Sequence, residues 1–554
     1  MTRKTLAATI ALLGLTLLAL VIATAAPNRA KSDEIAHRTA GVAAAPFSGG
    51  GHSASAATAD SAPGEALRPA RERGDSSIDS SFSAEELLAF QAQALLLPAS
   101  AGISSPNGEQ GVNFSLGTNF DSMDITECCQ SGTLNPPDPE LAVGPNHIIA
   151  VLNNSLEIYD KTGTSLVGPM PFEVFFASIP GPCTVFPFDP NVLYDESADR
   201  FIVAADGDGD SYCVGVTQTG DPTGDYFFYD FTTNVGGAFF DYPHAGVGVD
   251  AIYVGANMFG GGTGWVFAFE KATMYAGTPS AMANQDLGSN GTPQPMNIHM
   301  PFPAGGPHYI LTSRGGTGNP SLFGLFSWDD PFGANVFTDL TTFNLPTVHG
   351  VTVGFPVSNP QQGGGNITPF NPRPLDFEFR NGFGWFTNFV SCNPGGGTVN
   401  CIQWAQVDVG LATAVDAGVY ADDTRHRYMP DLAVNVCNDM MVGFTTSNST
   451  SFPGVTVAGR ESGDPAGTLQ GEIDVKAGET TMGDTSRWGD YTGMTIDPDG
   501  TTFWYLGEYA KDLADSRNWG TYIGALSFTD CVSTGIFADG FESGDTSAWS
   551  TSVP

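Results

Sequence analysis

Residues 245–270, AGVGVDAIYVGANMFGGGTGWVFAFE, decide the fold of this chain. The stretch holds three short apolar runs, residues 245–248, 252–257 and 265–270, separated by Gly, Asp and Asn. Runs of this length, rich in β-branched and aromatic residues and bounded by turn residues, predict strands rather than helices. The stretch therefore predicts one antiparallel unit of a few short strands.

The same order of a Gly or Asp turn and short strands recurs seven times, with units starting near residues 142, 192, 245, 308, 377, 431 and 493. The composition agrees with an all-β chain, since Gly (69) and Pro (38) are abundant and only 14% of residues are charged. A fixed order of repeated units predicts a seven-bladed β-propeller over residues 112–531. A single sandwich of this size is the less favourable alternative, and several separate sandwiches would need linkers that the sequence lacks.

The N-terminus has the layout of a secretory signal peptide, predicted over residues 1–25. Arg3 and Lys4 precede an apolar run over residues 6–22, and Ala23-Thr24-Ala25 supplies the small residues of a cleavage site. The alternative is an uncleaved membrane anchor, because residues 6–26 are numerous enough to span a bilayer. We expect a secreted protein, extracellular or periplasmic, with no membrane segment after signal cleavage.

Two segments flank the predicted propeller. Residues 26–111 are rich in Ala, Ser and Gly and predict a disordered linker. A short helix is predicted within it over residues 83–97, where Ser83 and Glu86 form a capping-box pattern before several Leu residues. Residues 532–554 form a short C-terminal tail.

The net charge limits the partners of this protein. The chain carries 21 basic and 59 acidic residues, a formal charge of −38. Such a surface repels phosphate backbones, so nucleic acid is excluded as a partner. The partners that remain are a glycan or an extracellular protein, and the acidity also attracts divalent cations.

The eight cysteines predict structural disulfides in an oxidising compartment. The expected pairs are Cys183 with Cys213, Cys392 with Cys401, and Cys437 with Cys531. These pairs leave the adjacent Cys128 and Cys129, whose pairing stays open. A zinc site is the alternative, but no Cys or His spacing typical of zinc is present.

One acidic turn is the candidate metal site. Asp206, Asp208 and Asp210 alternate with glycines, a pattern that lets several carboxylates converge on a calcium ion. The alternative is a polar hairpin tip between two strands, and the EF-hand pattern is broken at Ser211 and Thr217. Apart from this possible structural calcium, no cofactor is predicted.

Four stretches resemble a family of secreted bacterial propeller proteins to which no activity is assigned. They are PDPELAVGPNH at 137–147, DPNVLYD with ADRF at 189–201, FDYP at 240–243, and RWGDY with FWY and EY at 487–509. The resemblance covers residues 137–527 and implies a sialidase-like or related propeller. Thr502 stands where that family often has a cysteine. The tail over residues 539–545 also resembles a short C-terminal segment of exported Gram-negative proteins.

The catalytic candidates are polar residues that one face of a propeller could bring together: Arg487, Asp490, Tyr491, Glu508, Asp241 and His244. Sialidases use an arginine cluster with a Tyr/Glu pair, and the further arginine candidates are Arg314, Arg425, Arg427 and Arg460. The alternative is structural, with Arg487 and Asp490 in an ion pair between blades and Trp488 and Tyr491 in the core.

Two functions remain open. The favoured one is an extracellular binding or structural protein that presents loops and aromatics such as Trp404, Trp488 and Trp504 to a glycan or protein ligand. The alternative is a glycoside hydrolase, sialidase-like enzyme or lyase on the same scaffold. We favour binding, because the sequence has neither a nucleophile elbow nor a zinc-protease motif.

Overall fold

The computed structural model describes residues 52–55, 84–106, 111–128, 135–260, 263–314, 319–369, 371–485, 487–514 and 517–531. The predicted signal peptide, most of the predicted linker and the tail over residues 532–554 lie outside the described residues. All described residues belong to one unit, Ala44–Pro554.

Seven sheets follow one another along the chain, and each is built on four antiparallel strands. The predicted seven-bladed β-propeller is confirmed. We number the blades in the order of their innermost strands. From the innermost strand outward, the strands are, in blade 1, Glu140–Val143, His147–Leu152, Ser155–Asp160 and Ser165–Pro171; in blade 2, Pro187–Asp195, Arg200–Gly207, Ser211–Thr217 and Asp225–Thr232; in blade 3, Phe239–Val247, Ala251–Phe259, Thr263–Glu270 and Met282–Asp286; in blade 4, Gly291–Pro295, His308–Ser313, Leu322–Asp329 and Val336–Asn344; in blade 5, Leu375–Arg380, Phe383–Cys392, Val399–Asp408 and Thr413–Tyr420; in blade 6, His426–Val434, Met440–Asn448, Ser451–Arg460 and Glu472–Lys476; in blade 7, Gly493–Ile496, Thr502–Ala510, Trp519–Phe528 and Phe114–Asp124.

Two blades carry a fifth strand. His52–Ser55 pairs with the outermost strand of blade 2, and Asn297–Ile298 runs parallel to the innermost strand of blade 5. The α-helices are short: Ala84–Ala94, Phe172–Phe175, Pro182–Val185, Lys271–Tyr275 and Pro346–His349, with one 3-10 turn at Val235–Gly237. The first of them lies within the segment for which a helix was predicted.

The strands form where they do because both faces of each sheet are covered by a neighbouring blade. In blade 3, Ile252 and Val254 pack with blade 2, whereas Tyr253, on the opposite face of the same strand, packs with Ile310 and Trp328 of blade 4. Alternate side chains of a strand point to opposite faces, so a strand that is buried on both faces needs an unbroken apolar run. This requirement explains the IYVGAN run that signals the fold.

The start of blade 4 differs from the prediction. The predicted unit began at residue 308, but His308–Ser313 is the second strand, and the innermost strand is Gly291–Pro295. Pro293 and Pro295 make this segment unlike a strand, because proline donates no backbone hydrogen bond to a sheet. The fourth strand of each blade was also outside the predicted pattern.

The ring is closed by the N-terminal side of the chain. The innermost strands contact one another in order from blade 1 to blade 7, and blade 7 in turn contacts blade 1. Phe114–Asp124, which precedes blade 1 in sequence, pairs antiparallel with Trp519–Phe528 as the outermost strand of blade 7. The two ends of the propeller are therefore held in one sheet.

The three predicted disulfides are confirmed: Cys183–Cys213, Cys392–Cys401 and Cys437–Cys531. They indicate an oxidising environment. Cys129 lies outside the described residues, so the pairing of the adjacent cysteines is not described. Within the described ranges, the helices are too short and too polar to cross a bilayer.

Candidate functional site

A repeated turn stands near the start of the innermost strands. In six blades a residue with positive φ, between 45° and 57°, is followed by Pro (Phe in blade 5) and then by a polar residue. The six turns are Asp138-Pro139-Glu140, Asp189-Pro190-Asn191, Tyr242-Pro243-His244, Thr292-Pro293-Gln294, Asp376-Phe377-Glu378 and Met429-Pro430-Asp431. In blades 2 to 6 the register of the sheet shifts at this point. Such a bulge redirects side chains, and the third residue of five of these turns, all except Asn191, lines a cavity on the propeller axis.

Several of these third residues join one blade to the next. The Glu140 carboxyl accepts hydrogen bonds from Asn191 Nδ2 (3.1 Å) and Val192 N (3.3 Å) of blade 2. Asn191 and Gln294 donate to backbone carbonyls of the following blade, and Asp431 accepts from Met494 N of blade 7 at 2.6 Å. A belt of buried hydrogen bonds therefore holds the ring together, and this is the structural role of these polar residues.

The same residues surround a cavity on the propeller axis. The axial cavity has a volume of about 60 Å³ and takes lining residues from all seven blades. Its polar lining residues are Glu140, Tyr194, His244, Gln294, Asn297, His299, Asp376, Glu378, Asp431, Tyr491, Thr492 and Thr495.

Carboxyl groups dominate the electrostatics of the axial cavity. Burial raises the pKa of Glu140 to about 8, against the opposing effect of its hydrogen bonds. Burial likewise raises the pKa of Asp376 well above its ordinary value, and the nearby Glu378 and Asp431 raise it further. The pKa of Asp431 is also well above its ordinary value, chiefly through burial. Burial therefore favours the protonated, neutral form of these carboxyl groups.

His299 is a cation in the lining of the axial cavity, and Arg380 lies near the same two carboxylates, Glu196 and Glu378. The Nδ1 of His299 lies 2.7 Å from Glu196 Oε1, and its Nε2 lies 2.7 Å from Glu378 Oε2. Burial lowers the pKa of His299, but the two carboxylates outweigh burial and raise it to about 9. Glu378 also accepts from Asn297 Nδ2 at 2.9 Å and is hydrogen-bonded to the Asp376 carboxyl. The imidazolium is therefore shared between two carboxylates and leaves Glu140, Asp376 and Asp431 without a counter-ion of their own.

His244 offers a different kind of group. It is 8% exposed, and its buried Nε2 has no hydrogen-bond partner among the described residues. Its ring makes a T-shaped contact with Tyr242 (centroids 4.6 Å apart) and a tilted contact with Tyr491 (5.0 Å). Burial, with the nearby Arg373, lowers the pKa of His244 to about 3, so the imidazole is neutral at neutral pH. A neutral, unpaired ring nitrogen in a cavity is a group to which a ligand can bind.

The sequence candidates gather at one end of the axis. Arg487 and Asp490 form an ion pair, Tyr491 donates to Asp189 at 3.2 Å, and Glu508 accepts from Gly489 N at 2.7 Å. Asp241 accepts from Tyr242 N at 2.9 Å. The ion pair is local to the loop before blade 7, not between blades as in the structural alternative. The contact between blades is made instead by Asp490 N, which donates to Asp138 at 2.7 Å.

The remaining arginines do not form one cluster. Arg425 and Arg427 share Glu472, whereas Arg460 pairs with Asp416 and Arg314 with Asp339. The three tryptophans expected to face a ligand are in the core instead: Trp404, Trp488 and Trp504 are at most 5% exposed. Trp488 donates to Thr445 Oγ1 and packs on Tyr428.

The acidic turn forms a hairpin tip. Asp206 Oδ1 accepts from Gly209 N at 2.7 Å, and Asp210 Oδ1 accepts from Asn234 Nδ2 at 2.9 Å. Among the described residues, one group of three potential metal ligands lies close together, Cys437, Asp439 and Cys531, and its two sulfurs are joined in a disulfide. Calcium binding by Asp206, Asp208 and Asp210 stays a prediction.

Comparison with known proteins assigns no family to the chain. No protein-family model and no curated protein sequence matches it. Among solved structures it is similar to the phage phi92 endosialidase, with 8% identity and a TM-score of 0.39 over 76% of this chain and 70% of that chain. It is also similar to the Nup133 β-propeller domain of Vanderwaltozyma polyspora (9%, 0.36, 75% and 100%) and to a thermostable family-43 glycoside hydrolase (12%, 0.27, 62% and 91%). These values assign no function, and the propeller fold rests on the strand topology.

Proposed function

We propose that this chain is a secreted binding protein that holds a unit of a glycan in its axial cavity. The unpaired Nε2 of His244, inside a cavity that all seven blades line, carries the proposal. The cavity is rich in hydrogen-bond acceptors, namely carboxyl oxygens and a ring nitrogen, and a sugar is rich in hydroxyl donors. Three disulfides and the predicted signal peptide suit a protein that works outside the cytoplasm.

The test is calorimetric titration of the full chain with soluble oligosaccharides, comparing the wild type with His244→Phe. The slightly larger phenyl ring keeps a flat aromatic side chain and removes both ring nitrogens, so we expect about a tenfold loss of affinity, the value of one good hydrogen bond. His147→Phe is the control, since His147 lies in blade 1 outside the cavity lining.

Two outcomes would contradict the proposal. Absence of binding to every oligosaccharide would exclude carbohydrate as the ligand class. Binding that His244→Phe leaves unchanged would place the glycan elsewhere on the molecule. Circular dichroism of each variant separates loss of binding from loss of fold.

A second candidate is glycoside hydrolysis in the same cavity. The observation that favours it is the raised pKa of Glu140, Asp376 and Asp431, because a carboxyl group that stays protonated near neutral pH is suited to act as a general acid. Reducing ends released by the wild type but not by Asp376→Asn would make the chain an enzyme. Binding without new reducing ends supports the first proposal.

A further inference from the structure

The axial cavity holds more carboxyl groups than its cations can balance. Glu140 of blade 1, Asp376 and Glu378 of blade 5, and Asp431 of blade 6 all line it. After the short strand Asn297–Ile298 the cavity receives the His299 imidazolium, which Glu196 already shares, and from blade 3 the neutral His244. Among the described residues that line the cavity, blades 2 and 7 contribute no charged side chain.

A buried carboxylate needs a compensating partner, and two kinds are available here. The first partner is a proton, which neutralises the carboxylate, and the raised pKa values of Glu140, Asp376 and Asp431 show that protonation is favoured there. A positively charged ligand is the other, because an ammonium group donates to carboxylates in strong charge-assisted hydrogen bonds. The net charge of −38 also draws cations toward the molecule.

The spacing of the carboxyl groups favours an extended cation over a metal ion. No three of them bring ligand atoms within 4.8 Å of one another among the described residues. Calcium needs six to eight oxygens converging on a single point. The hydroxyl and ammonium donors of an amino sugar are spread around its ring, so they can reach carboxyl acceptors on different walls of the cavity.

We infer that the axial cavity binds a positively charged amino sugar, with Asp376 and Glu140 as acceptors for its ammonium and hydroxyl groups and His244 Nε2 bonded to a further hydroxyl. This inference rests on the proposed function and adds the chemical class of the glycan. Asp376 and Glu140 are the acceptors because both are only partly covered by protein where they line the cavity.

Three disaccharides of one backbone test the inference by calorimetry on the full chain: chitobiose, diacetylchitobiose and cellobiose. They carry ammonium, acetamide and hydroxyl groups at the same ring position. We expect chitobiose, at a pH where its amines are charged, to bind at least about tenfold more tightly than cellobiose. Titration in two buffers of different ionisation enthalpy should show that chitobiose releases protons from the cavity and that cellobiose does not.

Asp376→Asn is the decisive variant, since it keeps the shape of the side chain and removes the charge. It should abolish the advantage of chitobiose over cellobiose, and Glu140→Gln should reduce it from the opposite wall. Asp225→Asn, on the exposed start of the outermost strand of blade 2, is the control and should leave the advantage intact.

The outcomes separate this inference from the proposed function. If cellobiose binds as well as chitobiose, the amino-sugar inference is wrong, while glycan binding stands. If no disaccharide binds, both fail. If calcium alone binds and Asp376→Asn abolishes that binding, the occupant is a metal ion and the inference is overturned.

Discussion

At the scale of the residue, polar groups that line the axial cavity combine two roles that are usually separate. Glu140 both ties blade 1 to blade 2 and lines the axial cavity. The first role buries the carboxyl group, and burial raises its pKa to about 8. A residue needed for assembly is therefore also a titratable group that changes charge near neutral pH.

This shift makes the stability of the protein depend on pH. The folded-state pKa of Glu140, about 8, lies above the ordinary value of 4.5. The contribution of Glu140 to the free energy of unfolding is therefore fully present below pH 4.5 and is lost as the pH rises toward 8. His299, raised from 6.5 to about 9, acts in the same direction between those values. Histidines whose pKa is lowered by burial, such as His244, act only below their ordinary 6.5. The free energy of unfolding should therefore decrease from about pH 6.5 to about pH 9.

Glu140→Gln tests the contribution of this one carboxyl group. Between about pH 6.5 and 8, the free energy of unfolding measured in urea should fall by about 2 kcal/mol less in the variant than in the wild type. Glu85→Gln, on the exposed N-terminal helix, should follow the wild-type profile. Parallel profiles for all three proteins would show that Glu140 is not the group responsible.

At the scale of the element, neighbouring blades approach so closely that some strand positions have no room for a side chain. Gly255 lies in the second strand of blade 3 and faces the innermost strand of blade 4. A methyl group at this position would overlap the carbonyl oxygen of Pro293, which is backbone and cannot rotate away. The glycine therefore sets the spacing between these two blades.

Gly255→Ala should lower the free energy of unfolding by about 1–3 kcal/mol, the usual cost of overpacking. Gly291→Ala is the matched control, because the nearest atom to a methyl group there is Asn257 Oδ1 at 3.8 Å. Chemical denaturation of both variants measures the difference. Equal stabilities would mean that the blades can separate at no cost, contrary to the packing described.

The strands were more predictable from sequence than the site. A strand covered on both faces leaves a local signal, as in IYVGAN, and seven such signals predict seven blades. Gly291–Pro295 left none, since its two prolines resemble a loop. The cavity residues Asp376, Glu378 and Asp431 were missed for another reason, because residues far apart in sequence meet only when the ring closes. The repeated pattern of Pro followed by a polar residue was the available signal, and it precedes the second strand in five blades.

At the scale of the whole molecule, stability depends on closing the ring. The strand Phe114–Asp124 joins blade 7 from the N-terminal side, and Cys437–Cys531 joins a loop of blade 6 to the residues that follow the last strand of blade 7. The disulfide spans 94 residues, whereas Cys392–Cys401 spans 9 residues within one hairpin. A longer loop removes more conformational entropy from the unfolded chain.

Replacing both cysteines of each pair by serine should therefore have unequal effects. Loss of Cys437–Cys531 should cost about 2 kcal/mol more than loss of Cys392–Cys401, from the dependence of loop entropy on the logarithm of loop length. Urea unfolding of the two double variants under non-reducing conditions gives the comparison, and a variant that lacks both pairs gives the combined loss. If the two variants lose equal stability, local packing around each pair outweighs ring closure. A larger loss on removal of Cys437–Cys531 would show that the covalent link between blades 6 and 7 stabilises the closed ring.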